Sequence, residues 1–176
     1  MMDAVGAVTQ QDVWRALAEV EDPELPIGIV DLGIVEAVSM GANGRLVVEL
    51  IPTFSGCPAL EVIRERVISR LRELGVADAE VRWKLGPAWD PGRISAAGRA
   101  QLREHGITGG DPAAAAAESG AHCPFCDSDD TERASGFGPA LCRVVYRCRC
   151  CRNVFEGMKR PGTLIRLANA APRADQ

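Results

Sequence analysis

The cysteines are the residues whose types and spacing most clearly indicate chemistry. Six of the seven lie between positions 123 and 151, and they include two Cys-x-x-Cys pairs separated by 21 residues, Cys123 with Cys126 and Cys148 with Cys151. Such a turn presents two sulfurs to one side of a soft dication, and a second turn, returned by a β-hairpin, completes a tetrahedron of thiolates. The spacing predicts a metal site that holds zinc. About 45 residues bury too little apolar surface to fold alone, so we expect the ion to be structural.

The second half of this ligand set admits alternatives. Cys150 would form a Cys-x-Cys element with Cys148, which does not mirror the first turn, so Cys151 is preferred. Cys142 precedes Cys148 by six residues on a predicted strand, about 20 Å away at roughly 3.3 Å per residue, and is interpreted as a small buried apolar residue. A single redox iron or an iron–sulfur cluster is also compatible with four thiolates, and spacing does not exclude either.

The seventh cysteine, Cys57, stands alone between Gly56 and Pro58. Pro58 suits the first position of a helix, which would place Cys57 at the N-cap, where orphan amides and the positive end of the helix dipole favour a thiolate. Gly56 leaves room for a ligand to approach the backbone. The alternative is that Cys57 is a small buried hydrophobe, as lone cysteines often are.

Other polar residues surround this thiol in sequence or in a second loop. Thr53 precedes Cys57 by four residues, and Asp22 and Glu24 lie in another proline-framed loop. Sequence alone does not bring the two loops together. Neither His105 nor His122 occupies the position of a general base, so a cysteine-hydrolase triad is not supported.

Hydrophobic periodicity predicts the elements that position these residues. Thr9 and Asp12 have the form of a capping box before the first helix, and Asn43-Gly44 favours a hairpin turn. The predicted elements are a helix over 10–20, strands over 29–38 and 46–51, a helix over 60–74 that Gly75 closes, a strand over 81–85 and a helix from Ser95 to about His105.

This order predicts an α+β protein with two modules: a small helix-hairpin-helix-strand-helix domain followed by a β-hairpin zinc ribbon. The predicted boundaries are 1–107 for the first domain, 108–121 for a linker rich in glycine and alanine, 122–168 for the ribbon and 169–176 for a disordered tail.

Charge and hydropathy restrict the function. The net charge is −4, and residues 1–107 hold 16 acidic against 11 basic residues, which argues against nucleic-acid binding. Apolar runs are too short for a membrane span and the N-terminus lacks signal-peptide features, so we expect a cytoplasmic protein.

The ribbon is basic, which suggests a docking face for an acidic protein, and Tyr146 and Phe155 would be either ribbon core or base-stacking rings. The basic residues are Arg143, Arg147, Arg149, Arg152, Lys159, Arg160 and Arg166.

Three motifs resemble the small domain shared by bacterial iron–sulfur assembly accessory proteins and eukaryotic cytosolic iron–sulfur targeting proteins. They are Asp22-Pro23-Glu24-Leu25-Pro26, Val30-Asp31-Leu32-Gly33-Ile34-Val35 and Pro52-Thr53-Phe54-Ser55-Gly56-Cys57-Pro58. Further runs resemble the PaaD (PaaJ) family of the phenylacetate catabolic pathway, and with them the resemblance covers nearly the whole chain. These are Gly86-Pro87-Ala88-Trp89, Ile94-Ser95-Ala96-Ala97-Gly98-Arg99, Cys123-Pro124-Phe125-Cys126, Phe137-Gly138-Pro139, Leu141-Cys142-Arg143 and Tyr146-Arg147-Cys148.

The resemblance implies a role beside the multicomponent phenylacetyl-CoA 1,2-epoxidase (monooxygenase), whose di-iron oxygenase and iron–sulfur reductase are separate chains. Cys57 matches the motif cysteine, and Asp22, Glu24 and Thr53 match motif positions. The leading hypothesis is a non-catalytic accessory protein in which Cys57 transiently holds iron or an iron–sulfur cluster. Its partners would be the other epoxidase components and the iron–sulfur assembly machinery, and the ribbon would dock on the recipient.

Two other hypotheses belong to different classes. One is an integral electron-transfer or catalytic subunit of the oxygenase complex, in which the four ribbon thiolates hold iron. The other is a nucleic-acid-binding ribbon protein, against which the charge argues.

Overall fold

The computed structural model describes residues 8–41, 44–84, 86, 88–109 and 121–160, and within them the predicted α+β class is confirmed. No helix in these ranges is long and apolar enough to cross a membrane. The helices are α1 (Gln10–Ala18), α2 (Ala59–Glu73) and α3 (Ala96–Glu104), and the strands are β1 (Val35–Met40), β2 (Leu46–Leu50), β3 (Ala79–Trp83), β4 (Ile107–Thr108), β5 (Thr131–Ser135), β6 (Arg143–Cys148) and β7 (Val154–Met158).

The helix ends agree with the sequence signals. The Thr9 side chain accepts a hydrogen bond from the Asp12 amide while the Asp12 carboxylate accepts one from the Thr9 amide, so the capping box of α1 is complete. The Ser95 hydroxyl caps α3 by accepting from the amide of Gly98. Gly75 follows α2 with a φ of 93°, the positive value at which glycine commonly ends an α-helix.

The first sheet has the strand order β1-β2-β3. β1 and β2 form the predicted antiparallel hairpin, in which Gly44 has a φ of 75° and donates to the carbonyl of Gly41 over 2.9 Å. β3 pairs parallel to β2, so α2 is the crossover that connects them. β3 covers 79–83 rather than the predicted 81–85, and Leu85 lies outside the described residues.

The prediction that the first strand begins at residue 29 was wrong, because β1 begins at Val35. The preceding residues form turns: the Leu32 amide donates to the Gly28 carbonyl over 2.8 Å, and Gly33 has a φ of 73°. Ile29 is fully buried in this irregular segment. Its β-branched side chain packs in the core although its backbone is not in a strand. Hydrophobicity and β-propensity alone do not distinguish these two cases.

The second sheet has the order β4-β7-β6-β5 and joins the two modules. β5, β6 and β7 form the antiparallel ribbon, and β4, from the end of the first module, pairs parallel to β7. The predicted linker therefore begins too early, because Thr108 is part of a strand whose backbone hydrogen bonds cover the edge of the ribbon. Most of that linker (110–120), the end of the predicted ribbon (161–168) and the predicted tail (169–176) lie outside the described residues.

Candidate metal centre and thiol site

The structure brings together the four cysteines that the sequence selected. The Sγ atoms of Cys123, Cys126, Cys148 and Cys151 all lie within 4.8 Å of one another. The distances from Cys123 to Cys151 and from Cys126 to Cys148 are both 3.6 Å. Sulfurs about 2.3 Å from a tetrahedral zinc ion are separated by about 3.8 Å, so this donor set fits such an ion closely.

The two cysteine turns have matching backbones. Asp127 and Arg152, which directly follow the second cysteine of each pair, have φ values of 61° and 65° and are the non-glycine residues with positive φ among those described. Each turn thus ends in the left-handed conformation that lets the chain fold back under the ion. Cys150 is exposed and lies outside the cluster, which agrees with the preference for Cys151.

Hydrogen bonds repeat the same symmetry. The amide of Cys123 donates to the carbonyl of Ser128, and that of Cys148 to the carbonyl of Asn153, each over 2.9 Å and each to a residue five positions later. The amide of Cys151 lies 3.5 Å from the sulfur of Cys148, and the Asn153 side chain donates to the sulfur of Cys151 over 3.5 Å. Donors of this kind stabilise thiolate ligands.

Aromatic residues complete the ribbon interior. Phe155 is buried with Cys123 and Cys148, and its ring stacks on that of Tyr146 with centroids 5.6 Å apart. The structure thus places both rings in the packing of the ribbon, which was the first of the two interpretations of these residues.

The second candidate site is the loop that carries Cys57. The predicted N-cap position was wrong by one residue, since α2 begins at Ala59 and Pro58 is the N-cap, with φ −66° and ψ −19°. The pyrrolidine ring fixes φ at a helix-like value, so Pro58 itself occupies the N-cap and Cys57 lies one position before it. The sulfur of Cys57 still receives a hydrogen bond from the amide of Ala59.

In the folded chain the two proline-framed loops lie next to each other, a contact that the sequence alone did not predict. The thiol of Cys57 lies 3.9 Å from Oε2 of Glu24. Oδ1 of Asp22 accepts hydrogen bonds from the amides of Glu24 and Leu25, over 2.8 and 3.0 Å. Asp22 therefore shapes the loop that presents the Glu24 carboxylate to the thiol. Thr53 lies half-buried on the Cys57 loop, and within the described residues its hydroxyl makes no hydrogen bond.

The electrostatics of Cys57 differ from the sequence expectation. Burial raises the pKa of the Cys57 thiol above its ordinary value, the amide of Ala59 opposes this rise, and Glu24 and Asp22 add to it. Burial therefore outweighs the helix terminus, and the pKa of the Cys57 thiol is raised rather than lowered. Burial also raises the pKa of Asp22, while its bonds from two amides and the charge of Arg143 lower it. The site thus combines a partly buried thiol with two neighbouring carboxyl groups.

Sequence reasoning missed the neighbour of this thiol. Cys142 is buried as expected, but it packs in the hydrophobic cluster of the first module, against which Cys57 also packs, and not in the ribbon interior with Cys148. Burial and then the charges of Cys57, Asp22 and Glu24 raise the pKa of Cys142 to about 11, against the opposing charge of Arg143. The one sequence signal for this contact was that Cys142 is not needed for the four-thiolate set. It stands directly before β6, the strand that leads to the ligand Cys148.

Arg143 ties the ribbon to the thiol site. Its Nη2 donates to the carbonyl oxygen of Glu24 over 3.1 Å, and its Nη1 forms a 2.6 Å ion pair with Glu156. The basic docking face predicted for the ribbon is correspondingly reduced, because Arg143 is mostly buried. Arg149 is also paired, with Glu132 at 2.8 Å and Asp130 at 3.6 Å. The prediction set the basic residues between Leu141 and Leu167 against Glu156 alone, and it left out Asp130 and Glu132 because they lie earlier in the sequence.

Comparisons with known proteins match both modules. The family model for an iron–sulfur cluster assembly protein matches residues 10–83, and the model for the PaaD zinc beta ribbon domain matches residues 108–159. A protein of Escherichia coli (strain K12), provisionally named as a subunit of 1,2-phenylacetyl-CoA epoxidase, is 34% identical over 84% of this chain and 91% of its own length.

Two further proteins match about half of this chain. An Fe-S protein maturation auxiliary factor of Porphyromonas gingivalis (strain ATCC BAA-308 / W83) is 33% identical over 49% of this chain and 84% of its own. A domain of unknown function, DUF59, from Bacillus anthracis is 31% identical over 52% of this chain and 89% of its own, with a TM-score of 0.49. The match to the Escherichia coli protein over nearly all of its length, together with the two family models, shows that the chain belongs to the PaaD family, with an iron–sulfur cluster assembly domain followed by the PaaD zinc ribbon.

Proposed function

We propose that this protein is a non-catalytic accessory component of the phenylacetyl-CoA 1,2-epoxidase (monooxygenase) system, and that it matures or repairs the iron or iron–sulfur centres of the other components. The observation that carries the proposal is a Cys57 thiol beside the Glu24 carboxylate, on loops separate from the four-thiolate cluster. The names of the relatives that match each module support it.

The ribbon cysteines have a structural role in this proposal. Cys123, Cys126, Cys148 and Cys151 form a closed donor set with no open position for a substrate, which is typical of structural zinc. Zinc bound there supplies folding free energy and no redox chemistry. The ribbon residues hold the strands β6 and β7 in place, and through them Cys142 and Arg143 at the thiol site.

Iron is the cargo of the Cys57 site. A thiol whose pKa is raised by burial suits a protein that must stay unreactive until iron arrives, because a neutral thiol is a weak nucleophile and resists oxidation. Iron binding replaces the thiol proton, and Glu24 lies close enough to accept that proton or to supply an oxygen ligand. The ribbon docks on the recipient, which is the oxygenase or the iron–sulfur reductase of the epoxidase, after the assembly machinery has loaded the site in the cytoplasm.

The test uses cells that depend on the epoxidase, in which Cys57→Ser replaces the natural chain. We expect epoxidase activity to fall to background, with fewer iron–sulfur clusters in the reductase or less iron in the oxygenase, while this protein accumulates normally with its zinc. Full activity with normal metal content in both recipients would contradict the proposal. Cys150→Ser, which changes an exposed thiol outside both sites, is the matched control.

Metal analysis of the purified chain separates this proposal from an electron-transfer subunit. Zinc in the ribbon is colourless and redox-silent, whereas iron bound by four thiolates absorbs visible light strongly. A coloured protein with one iron per chain that depends on Cys151, and not on Cys57, would favour the integral subunit instead.

A further inference from the structure

A second thiol lies beside the proposed cargo site, and it comes from the other module. Cys142 belongs to the buried cluster against which Cys57 packs, and only 5% of its surface is exposed. The next residue, Arg143, donates to the Glu24 carbonyl over 3.1 Å, so the segment that carries Cys142 is hydrogen-bonded to the loop that carries Glu24. The charge of Cys57 is also among the causes that raise the pKa of Cys142, in keeping with the place of both thiols at this cluster.

This arrangement is held from several directions. Between the modules, β4 pairs with β7 and the amide of Glu156 donates to the carbonyl of Gly106 over 3.2 Å; within the ribbon, the amide of Lys159 donates to the carbonyl of Cys142 over 2.8 Å. Arg103 and Asp127 form a further ion pair of 2.8 Å between the modules. Backbone pairing fixes the ribbon against the first module, so Cys142 stays at the junction.

We infer that Cys142 is the second thiolate ligand of the iron cargo, and that Cys57 and Cys142 together bind one iron centre between the two modules. The inference rests on the proposed function, in which Cys57 carries iron, and extends it to a residue of the ribbon. Two thiolates and the oxygen of Glu24 match the mixture of soft and hard donors that iron accepts.

Arg143 supplies an independent observation. Its Nε is buried and has no hydrogen-bond partner within the part of the chain that the structure describes, although the two terminal nitrogens of the same guanidinium are bonded. A buried N–H without a partner costs free energy, so a bound acceptor near this nitrogen would be stabilised. Iron with two thiolates and a carboxylate has a net negative charge, and its sulfurs accept hydrogen bonds, so the cargo fits a cationic group with a spare donor.

The loading step is a ligand exchange without electron transfer. An iron centre arrives on a donor that holds it with two exchangeable thiolates. Cys57 and Cys142 each form one iron–sulfur bond, the two donor sulfurs leave, and the protons of Cys57 and Cys142 pass to them. Release to a recipient that offers two cysteines is the reverse exchange. A ferrous ion and an iron–sulfur cluster share this chemistry, and the experiment distinguishes them.

The experiment uses the full-length protein with its ribbon loaded with zinc, under anaerobic conditions. Ferrous iron is titrated in one arm, and ferrous iron with sulfide in a second arm. Bound iron per chain and thiolate-to-iron charge-transfer absorbance are measured after desalting. The variants are Cys142→Ala, Cys57→Ser and the control Cys150→Ser, and zinc content with thermal unfolding reports whether each is folded.

We expect the wild type and Cys150→Ser to bind one iron centre per chain, and Cys142→Ala and Cys57→Ser to bind it at least roughly tenfold more weakly, because a single ligand loses the chelate effect. Binding by ferrous iron alone identifies a mononuclear centre, and a requirement for sulfide identifies a cluster. Wild-type binding by Cys142→Ala, or one centre shared by two chains, would overturn the inference alone. Wild-type binding by Cys57→Ser would overturn the proposed function.

A second measurement covers a Cys142→Ala chain that does not fold. Phenylarsine oxide bridges two neighbouring thiols, and zinc protects the ribbon cysteines from it. With the wild-type protein we expect a single adduct that peptide mass spectrometry maps to Cys57 and Cys142 and that blocks iron binding. An adduct that includes neither residue, or that leaves iron binding intact, would overturn the inference.

Discussion

Substituting Cys151 by serine should remove the resident metal, whereas the same change at the adjacent Cys150 should not. The four clustered sulfurs already have separations of 3.6 Å along two edges, near the roughly 3.8 Å of a zinc–thiolate tetrahedron. Structural zinc contributes about 10 to 16 kcal/mol in comparable sites, or about 3 kcal/mol per ligand if divided evenly, so loss of one thiolate should weaken zinc binding roughly a hundredfold to a thousandfold.

Competition with a chromophoric chelator measures this affinity directly, and elemental analysis gives the zinc content of each purified variant. Circular dichroism should show loss of ribbon structure in Cys151→Ser, since Cys123 and Cys148 are fully buried in the ribbon and would lose the ion that their thiolates share with Cys151. The reasoning is refuted if Cys151→Ser retains zinc with the affinity of the wild type, or if Cys150→Ser loses as much affinity as Cys151→Ser.

Three further outcomes follow from the structure. Alkylation of Cys57 by iodoacetamide, followed by peptide mass spectrometry, should reach half its maximal rate at a higher pH in the folded chain than in denaturant, because burial raises the thiol pKa; equal midpoints would contradict this. Gly98→Ala should lower the free energy of unfolding, measured by urea denaturation, by about 1–3 kcal/mol, since the new Cβ would lie 2.6 Å from Ile27 Cδ1 and 2.9 Å from the Asp31 carbonyl oxygen. Unchanged stability would contradict the close packing of α3 on these two residues. Thr9→Ala should cost about 1 kcal/mol through loss of the α1 cap, and a loss no larger than that of exposed Gln11→Ala would argue against the cap.

Local patterns predicted most of the elements. The capping box of Thr9 and Asp12, the Ser95 cap and the turn at Gly44 each depend on residues only a few positions apart, so sequence contains all the information that they need. The metal cluster was also predictable, because the spacing within each Cys-x-x-Cys pair determines the turn, and the hairpin between the pairs determines how they meet.

Contacts between distant segments were not predictable in this way. Ile29 has the composition of a strand residue but is buried in a turn, since burial in the core outweighs local propensity. Thr108 pairs with Gly157, a partner 49 positions away, so its strand looked like the start of a linker. Cys57 and Glu24 meet through the packing of two loops of the first module, and Cys142 reaches their cluster through the packing of the ribbon on that module; no local pattern encodes either contact.

The central claim, that Cys57 carries iron to another protein, is tested most directly by transfer of radiolabelled iron. Full-length protein loaded with ⁵⁵Fe, with sulfide where loading requires it, is mixed with metal-free oxygenase or reductase components of the epoxidase, and the label in each is counted after separation. We expect the wild type and Cys150→Ser to transfer iron and restore epoxidase turnover, and Cys57→Ser to do neither. Equal transfer by Cys57→Ser and the wild type, or no transfer by a fully loaded wild type, would contradict the account.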